Sequence, residues 1–177
     1  MAKRFELLFE LVPQLRTIAL LFDPKYHSAT EGTVPLVQQT ASAKGAGLHT
    51  LNATDEGEFE PAFASLVHLK ADALIVGTDP YFTSRRERIA ALASHYAVPA
   101  TYEWREFVTA GGLISYGASL TPLYREAGIY VGKALKGAKS ADLPIRRPTN
   151  FELVINLKAA KHLDSLCRLP CSHPRTR

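Results

Sequence analysis

The stretch that decides the fold is Leu74–Arg88, which reads LIVGTDPYFTSRRER. It begins inside the short apolar run DALIV, passes through a turn at Gly77–Pro80, and continues into charged residues that favour a helix. A run that is apolar on both faces and too short for a helix is typical of a strand covered on both sides, as in parallel sheets. The stretch therefore predicts a strand, a turn and a helix of an α/β protein.

The same unit recurs along the chain. Further apolar strands are predicted at 17–22, 48–52, 98–102, 113–117 and 151–157. Helices with one apolar face are predicted at about 5–12, 33–44, 54–66, 85–96, 103–109, 121–135 and 158–163. This alternation predicts an α/β fold with a mostly parallel sheet flanked by helices. Residues 164–177 follow neither period, so we expect them to form a disordered tail.

Composition excludes several classes of protein. The chain has 177 residues, of which 46% are hydrophobic and 21% charged, as in globular proteins with a real core. The formal net charge is +4, and no basic stripe or nucleic-acid motif accompanies it, so we expect no nucleic-acid partner. No run approaches the roughly 18 consecutive apolar residues that a membrane-spanning helix needs.

The N-terminal sequence MAKRFELLFELVP could be taken for a signal peptide, because Lys3 and Arg4 come before apolar residues. Glu6 and Glu10 interrupt the apolar segment, however, and no small-residue cleavage site follows. An amphipathic helix is the better interpretation. On this interpretation a chain produced as written would stay in the cytoplasm.

Cofactor and metal motifs are missing from the sequence. Cys167 and Cys171 are spaced C-x3-C and have no second pair to complete a tetrahedral metal site. There is no G-x-G-x-x-G or Walker loop for a nucleotide. We therefore expect neither a metal nor a cofactor.

Polar and aromatic residues gather where the predicted strands end. The carboxyl ends of parallel strands meet at one edge of the sheet, where open α/β folds bind their ligands. Acids there can accept from an ammonium group, hydroxyls and backbone N–H groups can bind a carboxylate, and aromatic rings can cover apolar parts. The set predicts a site for a small polar or zwitterionic ligand. Its members are Asp23, His27, Ser28, Thr78, Asp79, Tyr81, Tyr102, Glu103, Ser115, Tyr116 and Gly117.

Other interpretations of these residues remain open. Asp79 can be a helix cap without a role in ligand binding. Tyr116 can belong to the core, and the arginines at 85–88 can form a solvated helix face. We expect no catalytic residues, because no serine lies in a G-x-S-x-G elbow and no nucleophile has a base beside it. A small enzyme using Asp79, Glu103 and His27 as acid or base is an alternative, as is an effector-sensing domain of a transcription regulator.

Four longer segments resemble one family. They are KRFELLFELVP (3–13), ADALIVGTDPY (71–81), VPATYEWREFVTAGGLISYGASLTPLYREAGIYVGKALKGAKSADLP (98–144) and RPTNFELVINLKAAK (147–161). These segments look like the solute-binding proteins of ABC transporters of the tryptophan/tyrosine type, which have a class I periplasmic-binding-protein-like fold. The resemblance runs from about residue 3 to 163 and covers roughly the second half of a full family member.

The resemblance implies two α/β lobes with a small amino-acid-like or organic-anion solute between them, bound without chemistry for an ABC permease in the periplasm. Residues 14–100 would form most of the second lobe, 101–140 would return to the first, and 141–163 would cross back and close the fold. Ligand contacts would lie at 23–28, 78–81, 102–103 and 115–117. At Asp23 and His27 the family commonly has Asn and Ser, so the first loop departs from the pattern.

The resemblance also implies that part of the first lobe is missing, as in a truncated or frameshifted reading frame. On that basis we expect the strand near 113–116 to lack sheet neighbours. We also expect the helix at 121–135 to expose apolar residues and to favour a homodimer or aggregation.

Overall fold

The structure, a computed structural model, describes residues 2–26, 32–139, 143–144 and 148–163. The strands in this part of the chain are β1 (Thr17–Phe22), β2 (Gly47–Asn52), β3 (Ala73–Val76), β4 (Ala100–Tyr102), β5 (Ile114–Ala118) and β6 (Phe151–Ile155). The α-helices are α1 (Ala2–Leu11), α2 (Val34–Ala43), α3 (Phe59–Leu69), α4 (Pro80–Ser84), α5 (Arg86–His95), α6 (Arg105–Thr109), α7 (Leu120–Leu135) and α8 (Leu157–His162). The predicted strands are confirmed, with small shifts at their ends.

These strands form a single sheet in the order β2-β1-β3-β4-β5-β6. Pairing is parallel from β2 through β5, whereas β6 pairs antiparallel with β5 at the edge. The predicted α/β fold with a mostly parallel sheet is confirmed. How a full-length relative would divide these elements between two lobes stays a prediction.

Two hydrophobic cores cover the two faces of the sheet. On one face, α1, α2 and α8 pack against strand residues that include Ile18, Leu20 and Ile75. On the other, α3 to α6 pack against alternate strand residues such as Leu21 and Leu74. Each fully buried aliphatic side chain contributes about 1.5–3 kcal/mol. Burial on both faces explains why the strands appear in the sequence as continuous apolar runs.

Strand β5 has a neighbour on each side. Thr101 of β4 pairs with Ile114, and the other side of β5 pairs with β6 along its whole length. The prediction that the strand near 113–116 would lack sheet neighbours is wrong. The reason is that the returning segment after α7 supplies β6, which the sequence pattern could not place next to β5.

Helix α7 and strand β6 expose apolar side chains, as the sequence predicted for the helix. Leu135 is 84% exposed and Tyr124 is 73% exposed, and α7 contains no buried residue. Val131 on the helix and Phe151 on β6 are also more than half exposed. We call these exposed residues of α7 and β6 the apolar surface.

Candidate functional site

The carboxyl ends of β1, β3, β4 and β5 lie along one edge of the sheet, which we call the carboxyl edge. The N–H of Gly77 donates to the carbonyl of Leu21 at 2.8 Å, so the chain after β3 stays beside the end of β1. Thr78 follows directly, and Glu103 is the first residue after β4. Parallel pairing therefore brings residues far apart in sequence to the same edge.

A buried arginine joins two of the predicted site residues. Nη1 of Arg4 donates to the carbonyl of Val76 at 3.1 Å, and Nη2 donates to Oγ1 of Thr78 at 3.3 Å. Nη2 also lies 3.7 Å from Oε2 of Glu103. The Thr78 hydroxyl donates to the same Glu103 oxygen. Thr78 and Glu103 are thus held together by one side chain from α1.

The two charged side chains of this network differ in their exposure to solvent. The Arg4 side chain is 2% exposed, whereas that of Glu103 is 26% exposed. Burial lowers the pKa of Arg4, and the nearby Glu103 carboxylate opposes that change. A guanidinium nevertheless remains protonated in proteins, so a buried positive charge lies beneath a partly exposed negative one.

Gly117 contacts Glu103 from the neighbouring strand. A methyl group at Gly117 would overlap the carbonyl oxygen of Glu103 and lie 2.9 Å from its Cγ. Only a residue without a side chain fits this contact. Thr78, Glu103 and Gly117, all predicted from the sequence, are therefore brought together at the carboxyl edge.

Asp79 and Tyr81 lie next to this group but have other partners. Oδ1 of Asp79 accepts from the N–H groups of Tyr81 (2.6 Å) and Phe82 (3.3 Å), which caps α4. Asp79 is only 6% exposed. The Tyr81 ring packs on Phe59 with centroids 5.9 Å apart, and the guanidinium of Arg85 lies 5.6 Å from its centre. The two hydrogen bonds of Asp79 are those expected of a helix cap.

Two predicted ligand contacts are placed in the protein interior. Tyr102 is fully buried and its ring stacks on Phe107, with centroids 4.7 Å apart. Burial raises the pKa of the Tyr102 phenol. Ser115 is buried as well, and neither hydroxyl has a hydrogen-bond partner in the described part of the chain. That Tyr102 and Ser115 contact a ligand stays a prediction, and the structure places Phe107 of α6 against the Tyr102 ring.

The remaining predicted residues are peripheral or lie outside the described residues. Asp23 is partly exposed, and its Oδ1 accepts from the N–H of Lys25 at 2.8 Å, which forms a local turn at the end of β1. Tyr116 is half-buried and stacks on Phe151, with centroids 5.9 Å apart. His27 and Ser28 lie outside the described residues, as does the tail from 164 with its two cysteines.

Arg4 is the residue that sequence reasoning missed at this edge. In the sequence it is one of two adjacent basic residues near the N-terminus. Its spacing from Leu8 and Leu11 places it on the buried stripe of α1. A charged residue on such a stripe indicates a buried partner of opposite charge, and that signal could have identified it.

The arrangement can bind a ligand, and we see no catalytic set in it. A fixed and partly exposed carboxylate accepts hydrogen bonds from a cationic or N–H group. Among residues 2–26, 32–139, 143–144 and 148–163, no group of three or more His, Cys, Asp or Glu is placed to hold a metal ion. Within the same residues, no helix is both long and apolar enough to span a bilayer.

Comparison with solved structures finds proteins of the same fold. A conserved domain protein from Vibrio cholerae O1 biovar eltor has a TM-score of 0.84 at 22% identity. An ABC domain from Streptococcus pneumoniae, solved in complex with L-Trp, has a TM-score of 0.83 at 25% identity. The match covers 96% of this chain and 56% of the other chain in both cases.

A ligand-free, open substrate-binding protein with adhesive properties from Clostridium difficile is also similar. Its TM-score is 0.70 at 24% identity, with 97% of this chain and 57% of that chain covered. The chain therefore spans little more than half the length of these structures. A search of curated proteins found no match to the sequence.

The family comparison extends over nearly the whole sequence. The model of the family described as ABC transporter substrate binding protein matches residues 1–168. This match agrees with the fold and with the resemblance of the four segments. Members of this family are substrate-binding proteins rather than enzymes. The chain belongs to the ABC transporter substrate-binding protein family.

Proposed function

We propose that the chain is the solute-binding part of an ABC importer and that it holds a small amino-acid-like solute at the carboxyl edge. Family membership supports binding without chemistry. One observation carries the choice of solute: the Glu103 carboxylate is fixed by Arg4 and Thr78 and yet stays 26% exposed. Such a carboxylate is a suitable acceptor for an ammonium group.

The proposed contacts form a smaller set than the sequence predicted. Glu103 would accept from the ammonium group of the solute, with Thr78 and the backbone at Gly117 beside it. Asp23 would lie at the rim, since the chain after β3 runs beside the end of β1. The exposed charge of Glu103 is negative, which favours an amino-acid-like solute over an organic anion.

Family membership also supports a partner and a location for the full-length protein. A full-length protein would deliver its solute to an ABC permease from the periplasm. The part of the relatives that this chain does not cover would supply the opposite wall of the cleft.

Calorimetry with three related probes tests the proposed solute class. Because one relative was solved with L-Trp, the first probe is L-tryptophan. The second is tryptamine, which lacks the carboxylate, and the third is indole-3-propionate, which lacks the ammonium group. The other amino acids are then titrated as a panel. We expect binding only from solutes that carry an ammonium group. Glu103→Gln should weaken it about 10- to 150-fold, the equivalent of one hydrogen bond to a charged group.

Glu87→Gln is the matched control, because Glu87 is an exposed carboxylate of α5 that pairs with the neighbouring Arg86. It should bind like the unchanged chain. The proposal is overturned if no panel member binds under conditions in which the L-Trp-bound relative does. It is also overturned if the deaminated probe binds and Glu103→Gln has no effect.

A further inference from the structure

We infer that Arg4 is a positioning residue, which fixes the Glu103 carboxylate for the solute without contacting the solute itself. Arg4 is buried, so a bound molecule at the carboxyl edge cannot reach it. It can act on the solute through Thr78 and Glu103, which it contacts directly. The inference adds a residue to the proposed binding site, and it rests on the proposed function.

Helix α1 gives Arg4 a rigid support. Phe5 and Leu8 are buried in the core between α1 and the sheet, and Phe5 also packs on Phe9. Lys3, one residue before Arg4, points outward and pairs with Glu6 at 2.9 Å. The two neighbouring basic residues thus lie in different environments, and only Arg4 is directed at the sheet.

The guanidinium contacts both strand ends that form the site. Nη1 is bound to the Val76 carbonyl at the end of β3, which fixes the plane of the group. Nη2 is directed at Thr78 and at Oε2 of Glu103, beyond the end of β4. An arginine offers several donors in one rigid plane, so it can hold these groups in one geometry, whereas a lysine offers a point charge.

The network leaves one oxygen of Glu103 for a ligand. Both Arg4 and the Thr78 hydroxyl act on Oε2. In the described part of the chain, Oε1 has no hydrogen-bond partner. Binding sites depend on supporting residues that lock the contacting side chain, because a loosely held group loses its directed interaction. Arg4 therefore determines where Oε1 is presented.

Fluorescence of Trp104 tests this inference without any solute. Trp104 is the only tryptophan of the chain, directly follows Glu103 and packs partly against the core. We expect Arg4→Met to shift the Trp104 emission to longer wavelength and to raise its quenching by acrylamide, since residues 103–104 lose their anchor. Arg4→Lys should restore part of the change, and Lys3→Met, an equal change of charge on the exposed side of α1, should have no effect.

A double-mutant cycle separates positioning from a general structural role. If Arg4 acts through Glu103, then Arg4→Met should cause no further spectral change in a chain that already carries Glu103→Gln. An equal change in both backgrounds, or an unchanged spectrum in Arg4→Met, would overturn the inference. If Arg4→Met does not fold, Arg4→Lys takes its place in the same cycle. Failure of the calorimetry alone would affect the proposed function and leave this result standing.

When a binding solute is available, the same variants give a second measurement. Arg4→Met should weaken binding about tenfold, the equivalent of roughly 1.4 kcal/mol, while Lys3→Met leaves it unchanged. Binding of Arg4→Met at the original affinity would contradict the positioning role.

Discussion

Replacing Gly117 by alanine tests the contact on which the geometry of the site depends. The added methyl group would overlap the carbonyl oxygen of Glu103 and lie 2.9 Å from its Cγ. The nearest atom belongs to the backbone, which cannot rotate away as the end of a flexible side chain can. Pairing of Tyr102 with Ser115 fixes the distance between β4 and β5 immediately before this contact. The strain must therefore be relieved by moving Glu103 or by separating the strands.

The expected magnitude follows from the cost of overpacking. Extra methyl groups in packed interiors cost about 1–3 kcal/mol, and a backbone obstacle places Gly117→Ala at the upper end. For a chain of this size, each kcal/mol lowers the Tm by roughly 2–4 °C, which gives a decrease of about 6–12 °C. Displacement of Glu103 should also weaken the binding of ammonium-containing solutes.

Gly128→Ala is the matched control. Gly128 lies in α7, and a methyl group there would meet nothing within 4 Å. Alanine favours a helix over glycine by about 0.5–1 kcal/mol, so this variant should be slightly more stable. Urea unfolding followed by circular dichroism and by Trp104 fluorescence measures both variants. A Gly117→Ala chain within about 0.5 kcal/mol of the original, or equal losses in both variants, would refute the reasoning.

Three further predictions concern residues whose interpretation the structure changed or sharpened. Tyr102→Phe should not destabilise the protein, because the buried hydroxyl has no partner in the described part of the chain; a loss above about 1 kcal/mol would show a missed hydrogen bond. Because burial raises the pKa of the Tyr102 phenol, its ionisation leaves the free energy of unfolding unchanged below the unfolded tyrosine pKa of about 10 and lowers it as pH rises toward the folded value. Unfolding followed between pH 9 and pH 12, roughly the range of that titration, should therefore be less pH-dependent in Tyr102→Phe. Asp79→Asn should retain the cap and stay within a few tenths of a kcal/mol, whereas Asp79→Ala should cost about 1 kcal/mol; equal losses in urea unfolding would contradict the cap. Combined Tyr124→Ser and Leu135→Lys should reduce self-association through the apolar surface in light scattering, and an unchanged chain that is monomeric at all concentrations would contradict this.

The strands and their location in a parallel sheet could be predicted from the sequence. Each central strand is buried on both faces, so its apolar run is a local signal that needs no knowledge of the neighbours. The same rule placed Thr78 and Glu103 at one edge, because parallel strands end on the same side. Asp79 was correctly seen as a possible cap, since capping depends only on residues that follow it directly.

The sequence could not decide which candidate side chains reach solvent. Tyr102 and Glu103 are adjacent, yet Tyr102 is buried against Phe107 and Glu103 is partly exposed at the carboxyl edge. Alternation along a strand assigns opposite faces, but the covering helix α6 determines which of them is closed. The pairing of β5 with β6 was missed for a similar reason, because strand partners distant in sequence leave no local pattern.

The sequence by itself determined the alternation of strands and helices, the edge at which polar residues gather, and the resemblance to a family. The tertiary structure alone decided that Arg4 lies beneath Glu103, since that contact joins residues 99 positions apart through the packing of α1 on the sheet. The hydrophobic pattern of a segment indicates which of its faces are buried. A binding geometry depends on distances between segments, and only the folded chain fixes those.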